Sequence, residues 1–376
     1  MSVCKKLCSF IIAVVLLLSF LSIPSSAADI SISAKSAILI DALTGDVLYE
    51  KNSNAILPMA STTKIMTAVV VIENCNLDTT VIIPEEATGI EGSSVYLCKG
   101  ERLTVRQLLY AVMLSSANDA ATALAIACAG DIESFAKMMN DEADKIGLSS
   151  THFDNPHGLD SHSHYTSAYD LAKLTAYALR LPEFKKIVST YKMQIPLADN
   201  ENGRLLVNHN KLLRSYEGAI GVKTGFTKKS GRCLVSAAER GGATLIAVTL
   251  NAPNDWKDHT AMLDYGFENY TSVKLTVNSY GLSVPVISGT KDSVLCAPKE
   301  DLTVLLPKDH GAIVCRIEMS RFEYAPVDQG ETLGKITYFC DGSEIGSTDI
   351  ISSQSVELKK QKYTIWDKII DFFTRQ

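Results

Sequence analysis

A chain of 376 residues that is 46% hydrophobic and 21% charged can bury a sizeable core and has the length of two or three domains. Its formal net charge of −6, from 36 basic and 42 acidic residues with no basic patch, argues against nucleic acid as a partner. The cysteines that follow Cys8 (Cys75, Cys98, Cys128, Cys233, Cys296, Cys315 and Cys340) are odd in number and widely spaced, which indicates neither a disulfide framework nor a zinc site; most of them read as buried small hydrophobes.

At the N-terminus, Lys5 and Lys6 precede an apolar run from Phe10 to Leu21, broken by Ser19, and then Pro24 and Ser25-Ser26-Ala27-Ala28. A positive flank, a short apolar core and small residues at the cleavage positions describe a secretory leader over residues 1–27. A retained membrane anchor is the second reading, and the run is short for the ~20 residues that a span needs.

Ser36–Asp41 and Val47–Glu50, joined around Thr44-Gly45-Asp46, read as a β-hairpin. From Ser61 to Leu181 the pattern is mainly helical. Ser61 is a candidate N-cap for a buried helix through Ile72. Thr104 is a cap for a helix carrying Val105, Leu108, Leu109, Val112 and Met113 on one face, and Asp119–Ala129 is alanine-rich. A further helix runs from Asp131 to Ile146 and stops at Gly147, and Ser167-x-x-Asp170 has the form of a capping box for another that reaches Leu181. Gly231–Glu239 and Ala243–Leu250 are strand-like runs around Arg240-Gly241-Gly242, and a helix follows from Asp255 to Tyr265. Strands at both ends with helices between predict an α+β domain in which the two ends close one antiparallel sheet with helices packed on it.

Beyond Ser272 short alternating runs, Val273–Val277, Leu302–Leu306, Ile313–Ile317 and Ile336–Phe339, are punctuated by turn residues and predict a small all-β domain. In Tyr363–Gln376 the residues Ile365, Trp366, Ile369, Ile370 and Phe373 fall on one helical face. Fourteen residues cannot cross a bilayer but can lie in its interface, so this tail is expected to bind a membrane surface.

The candidate chemistry starts at Ser61-Thr62-Thr63-Lys64. A hydroxyl and an amine at this spacing share a helix face with about 5–6 Å between Cβ atoms, and a serine needs such a base to become a nucleophile. Spacing alone decides nothing, because Ser2/Lys5, Ser189/Lys192 and Ser288/Lys291 show it too. Two further polar segments separate Ser61 from these: Ser116-Ala117-Asn118 between two expected helices, and Lys223-Thr224-Gly225 leading into a strand. A lysine, a hydroxyl and a position without a side chain on an edge strand let a substrate backbone lie alongside and hold its carboxylate. His162-Ser163-His164 with Asp160 lacks a third spaced ligand, so neither a metal nor a cofactor is expected; His157 and His209 read as structural hydrogen-bonders.

The three segments together match the S-x-x-K, S-x-N and K-T-G set of penicillin-recognising serine enzymes. The likeness extends to Ile40-Asp41-Ala42, Asn155-Pro156-His157-Gly158-Leu159-Asp160, Asn208-His209-Asn210 and Gly221–Thr227. The chain resembles a low-molecular-weight penicillin-binding protein of the serine D-Ala-D-Ala carboxypeptidase family. That resemblance implies a penicillin-binding domain over residues 28–270, an all-β domain over 271–358 and an anchoring helix over 359–376.

It also implies roles. Ser61 attacks the carbonyl between two terminal D-alanines, Lys64 is its base, and Ser116 relays a proton to the leaving amine. Asn118 holds Lys64 and the substrate amide. Lys223, Thr224 and Thr227 hold the terminal carboxylate beside Gly225, and the backbone N–H groups of Ser61 and Phe226 form the oxyanion hole. The implied partners are a peptidoglycan stem peptide ending in D-Ala-D-Ala, β-lactams as inhibitors and the outer face of the cytoplasmic membrane. Lys64 must lose about three pKa units, a cost of ~4 kcal/mol, to be neutral at pH 7. A β-lactamase is the nearest alternative, but no Glu-x-x-Leu-Asn segment lies between the second and third motifs; a catalytically silent binding module is the other.

Overall fold

The computed structural model describes residues 30–197, 200–277 and 281–360, so the expected leader and the Tyr363–Gln376 tail lie outside the described residues. Contacts divide the chain after Ile32, and the following concerns the unit that begins at Ser33.

Two N-terminal strands, β1 (Ser36–Asp41) and β2 (Val47–Lys51), join three later ones, β3 (Ala219–Thr227), β4 (Gly231–Arg240) and β5 (Ala243–Leu250). The order is β2-β1-β5-β4-β3 with every neighbour antiparallel. The two ends meet where β1 runs against β5, from Ser36 opposite Leu250 to Asp41 opposite Leu245. All of β1 is buried, as its unbroken Ala-Ile-Leu-Ile run requires of a strand covered on both faces. Asp41 closes the first hairpin by accepting from the Thr44 N–H and hydroxyl. β3 is an edge strand, with one side unpaired within the sheet.

The longer helices between are α1 (Lys64–Asn74), α2 (Val105–Leu114), α3 (Asn118–Ala129), α4 (Ile132–Ile146), α5 (Ala168–Leu179) and α6 (Pro182–Ser189), and α7 (Asp255–Asn269) follows the sheet. α1 is buried from Lys64 through Val71 and forms the centre of the main core with Met66, Val69, Leu108, Leu124, Phe135 and Phe184. As expected, Thr104 caps α2, Ser167 accepts from the Asp170 N–H at α5, and Gly147 ends α4 in the left-handed conformation; in addition Gln107 completes a reciprocal box with Thr104, and Asp131, expected as the first residue of α4, caps it by accepting from the Ser134 N–H.

Two expectations are corrected, and one element is new. Ser61 caps no helix; it lies inside a 3₁₀ turn, Ala60–Thr63, whose preceding residue is Met59. α5 ends at Leu179 because Pro182 opens α6 and holds Leu181 in extended backbone. The hairpin of Lys192–Leu197 with Asn200–Val207 was not expected from a stretch in which only part of the alternation is apolar.

The expected all-β domain is present. Tyr270–Leu275 pairs with Leu302–Pro307, and a six-stranded sheet contains Ser283–Ile287, Ser293–Pro298, Ile313–Met319, Glu323–Tyr324, Thr332–Cys340 and Ser343–Ser352. It has its own core of Leu275, Val284, Val294, Val304, Ile336 and Ile350. Ser283–Ile287 alternates exposed and buried residues, as a strand covered on one face should.

The loop Asn155–Asp160 packs on the 3₁₀ turn at Gly158, which has φ +86. A Cβ there would lie 2.0 Å from the Ala60 carbonyl oxygen and 2.8 Å from the Thr63 hydroxyl. Gly158→Ala therefore combines left-handed strain with a backbone clash and should cost upwards of about 1–3 kcal/mol. Thermal unfolding should show a midpoint several degrees lower; an unchanged midpoint would mean that the loop does not bear on the turn.

Candidate active site

The 3₁₀ turn that carries Ser61 is held from its own side chains and from one buried histidine. The Thr62 hydroxyl donates to the Met59 carbonyl at 2.6 Å and the Thr63 hydroxyl to the Ala60 carbonyl at 2.8 Å. His164 Nδ1 accepts from the Asp154 N–H at 3.0 Å, so the ring proton sits on Nε2 and is donated to Thr63 Oγ1 at 2.7 Å. Burial lowers the pKa of His164 to about 4, which keeps it in this neutral tautomer. His164, read from the sequence as part of a polar loop, is thus a support for the turn. Its motif gave no sign of this, because its partner is 101 residues away.

Lys64 begins α1 directly after the turn and is 0% exposed. Its Nζ lies 2.6 Å from Asn118 Oδ1, 2.6 Å from the His157 carbonyl and 3.0 Å from Ser61 Oγ. The first two partners can only accept, so they take N–H groups. A neutral amine has two such hydrogens and one lone pair, and the lone pair is left for the Ser61 hydroxyl. The pKa of Lys64 is held well below its ordinary value by burial first and by positive Lys223 second, with Asp119 opposing more weakly.

Asn118 stands at the start of α3. Its Oδ1 holds Lys64, its Nδ2 donates to the Glu91 carbonyl at 2.5 Å, and its backbone N–H donates to the Ser93 carbonyl at 2.7 Å. The adjoining Asp119, fully buried, accepts from the Ser94 hydroxyl and the N–H groups of Val95 and Leu97. Together they fasten the segment 91–97 along the site. Asp119 is a positioning residue that the sequence reading missed. An acid directly after a turn asparagine looks like ordinary helix-start chemistry.

Ser116, between α2 and α3, takes φ +58, a strained conformation for a serine. Its hydroxyl accepts from Lys223 Nζ at 3.0 Å. Lys223 is buried in β3 and also donates to the Thr224 carbonyl at 2.9 Å. Burial lowers its pKa to about 7. The site therefore holds two buried lysines, one bonded to Ser61 and the other to Ser116, and burial lowers the pKa of both.

Ser61, Ser116, Thr224, Gly225 and Phe226 line an open cleft of about 550 Å³. Gly225 faces the 3₁₀ turn so closely that a Cβ would lie 3.0 Å from the Ser61 nitrogen and 3.2 Å from the Met59 carbonyl oxygen. Glycine is needed there for the strand and the turn to meet. Neither Lys223, whose Nζ bonds Ser116, nor Thr227, whose hydroxyl is engaged with Asp160 and Ser230, is among the lining residues. Asn118 lies beneath the cleft, holding Lys64. The lining also includes Ser93, Asn208, His209, Lys211, Arg232, Asp255 and Trp256, none of which was expected as a site residue. Arg232 sits opposite Phe226 across the β3–β4 hairpin and pairs with Asp255 at 2.9 Å. Its place follows from the hairpin register alone. Among the described residues no group of three or more metal-ligating side chains occurs.

A buried lysine beside a serine, a second hydroxyl bonded to another buried lysine, and a cleft along an edge strand define an active-site serine acyltransferase. Comparisons with known proteins narrow the class. Residues 23–254 match the family of peptidases described as D-alanyl-D-alanine carboxypeptidase, and residues 270–358 match the penicillin-binding protein 5 C-terminal domain. The chain is 33% identical over 373 residues to D-alanyl-D-alanine carboxypeptidase DacF of Bacillus subtilis (strain 168), covering 94% of this chain and 95% of that protein. It is 38% identical over 244 residues to a D-alanyl-D-alanine carboxypeptidase of Streptomyces sp. (strain K15), covering 60% and 84%. Among solved structures, penicillin-binding protein 5 of Haemophilus influenzae superposes with a TM-score of 0.74 at 30% identity, over 87% of this chain and 98% of that one. The chain belongs to the D-alanyl-D-alanine carboxypeptidase family of serine peptidases.

The two lysines make stability depend on pH. Each has a folded pKa below its unfolded value, so between about pH 7 for Lys223 and its ordinary 10.5 the unfolded chain binds more protons, and stability rises with pH across that window. Each site contributes a slope of about 1.4 kcal/mol per pH unit there. Lys223→Met should remove its share, roughly halving the lysine contribution to the slope of urea-unfolding stability between pH 8 and 10. A slope equal to that of the unaltered protein would show that Lys223 is not held neutral.

Proposed function

We propose that this protein removes the terminal D-alanine from peptidoglycan stem peptides through an acyl-enzyme on Ser61. The observation that carries the assignment to Ser61 is the coordination of Lys64, whose Nζ bonds Asn118 Oδ1 and the His157 carbonyl and lies 3.0 Å from Ser61 Oγ; in the neutral amine those two acceptors take both N–H groups and leave the lone pair for the Ser61 hydroxyl.

The substrate lies extended along the free side of β3, with its terminal carboxylate toward Lys223 and Thr224. Binding that carboxylate raises the pKa of Lys223 and keeps it positive, which holds Lys64 neutral. Lys64 takes the Ser61 proton as Oγ attacks the carbonyl between the two D-alanines. The negative oxygen is met by the backbone N–H groups of Ser61 and Phe226, brought within reach of one another because Gly225 has no side chain; one such donor is typically worth ~2.7–4 kcal/mol. The proton returns through Ser116 to the leaving amine, D-alanine departs, and water hydrolyses the ester. A β-lactam acylates the same serine. The Thr227 hydroxyl is engaged with Asp160 and Ser230, and Asn118 acts on Lys64.

The test is release of D-alanine from a diacyl-L-Lys-D-Ala-D-Ala tripeptide. The unaltered protein should release it and Ser61→Ala should fall by at least ~10⁴-fold. Penicillin should label Ser61 and turn over slowly. Undiminished release from Ser61→Ala would refute the nucleophile, and rapid penicillin turnover without tripeptide cleavage would instead indicate a β-lactamase.

We further propose that residues 1–27 direct export, that the penicillin-binding and all-β domains span 28–270 and 271–358, and that Tyr363–Gln376 holds the protein on the outer face of the cytoplasmic membrane. The support is the leader pattern and the single apolar face of Ile365, Trp366, Ile369, Ile370 and Phe373. Deleting Tyr363–Gln376 should move the protein from the membrane pellet to the supernatant with tripeptide activity retained; continued pelleting would rule out the anchor.

A further inference from the structure

Cys75 and Cys128 are separated by 53 positions in the chain, yet their sulfurs are 2.9 Å apart. Both are free thiols and both are partly exposed. Against the expectation from the sequence, only Cys233, Cys296 and Cys340 of the seven are buried, while Cys98 and Cys315 are exposed.

The place of the pair in the fold gives it meaning. Cys75 directly follows the last residue of α1, and Cys128 is the next-to-last residue of α3. At the opposite ends of the same two helices, Lys64 begins α1 and Asn118 begins α3, and these are joined Nζ to Oδ1 at 2.6 Å. The helices pack side by side and run in the same direction, fastened at the site by Lys64–Asn118 and meeting again at the two thiols. At 1.5 Å per residue the thiols lie about 15 Å from the site along the helices.

We propose that Cys75 and Cys128 are a disulfide-forming site that ties together the two helices carrying the base Lys64 and its partner Asn118. A covalent sulfur–sulfur bond is about 2.05 Å long, so closure asks for a movement of less than about 1 Å. The oxidant is a small-molecule or protein disulfide. The Cys75 thiolate attacks one of its sulfurs, forming a mixed disulfide and releasing one thiolate. The Cys128 sulfur then attacks Cys75 and releases the second. Two protein thiols are oxidised, one external disulfide is reduced to two thiols, and the protons of Cys75 and Cys128 pass to the released groups. The hydrogen bond between the pair lowers the pKa of Cys75 and raises that of Cys128, which makes Cys75 the attacking sulfur.

The test uses the full chain treated with oxidised glutathione or with a reducing phosphine, blocked with iodoacetamide and digested without reduction. A peptide linked through Cys75 and Cys128 should dominate after oxidation, with Cys98 and Cys315 recovered as glutathione adducts or alkylated. The oxidised protein should melt roughly 5–10 °C above the reduced one, and Cys128→Ser should abolish both the linked peptide and that difference. Comparing oxidised with reduced unaltered protein needs no variant, so a misfolded Cys128→Ser would not obscure the answer. Recovery of both cysteines alkylated after oxidation, or of either joined to Cys98, overturns the assignment. A linked peptide with no gain in melting temperature overturns the tie between the helices.

Discussion

An amine buried without a counter-charge in hydrogen-bond contact is the constraint on which this active site depends. Lys64 is enclosed by the core and has only neutral oxygens around its nitrogen, so withholding water and a carboxylate partner disfavours its charged form. Lys223, where it is protonated, adds to that effect. Exposing Lys64 to water would move it toward the ordinary range of an ammonium group, and removing the Lys223 charge would move it part of the way.

Keeping a lysine in this state requires rigid surroundings, and the fold supplies them from three directions. The 3₁₀ turn is pinned by Thr62, Thr63 and His164. The start of α3 is fastened by Asn118 and Asp119 to the segment 91–97. The edge strand β3 approaches at Gly225, where no side chain intervenes. The central sheet makes this possible because β1, from one end of the domain, is zipped between β2 and β5, so that the helical segment between them is closed at its base. Left-handed backbone at Ala60 and Ser116 marks where the framework imposes geometry on residues that would not choose it.

Much of this was legible in the sequence. Helix caps at Thr104, Asp131 and Ser167 and the stop at Gly147 are local chemistry, since each partner is within a turn. The hairpins around Gly45 and Gly241-Gly242 are local as well. The all-β domain was readable from its turn spacing, although Ser283–Ile287, Ser293–Pro298 and Ser343–Ser352 were not singled out. What escaped was non-local or weakly patterned: the Lys192–Val207 hairpin, the support that His164 gives to Thr63, the clamp at Asp119, Arg232 with Asp255 in the cleft, and the meeting of Cys75 with Cys128.

By itself the sequence determined which groups are available and where each sits along its own element: Ser61 and Lys64 a turn apart, Ser116 and Asn118 in a helix connection, Lys223 to Phe226 in a strand. Spacing within one element fixes those relations because backbone geometry repeats. Only the tertiary structure decided that Ser61 lies in a 3₁₀ turn and caps no helix, that the Thr227 hydroxyl bonds Asp160 and Ser230, and that the pKa of Lys64 is lowered. Desolvation and cross-chain contact belong to the packed core and to no single segment, so they exist only once the sheet has closed.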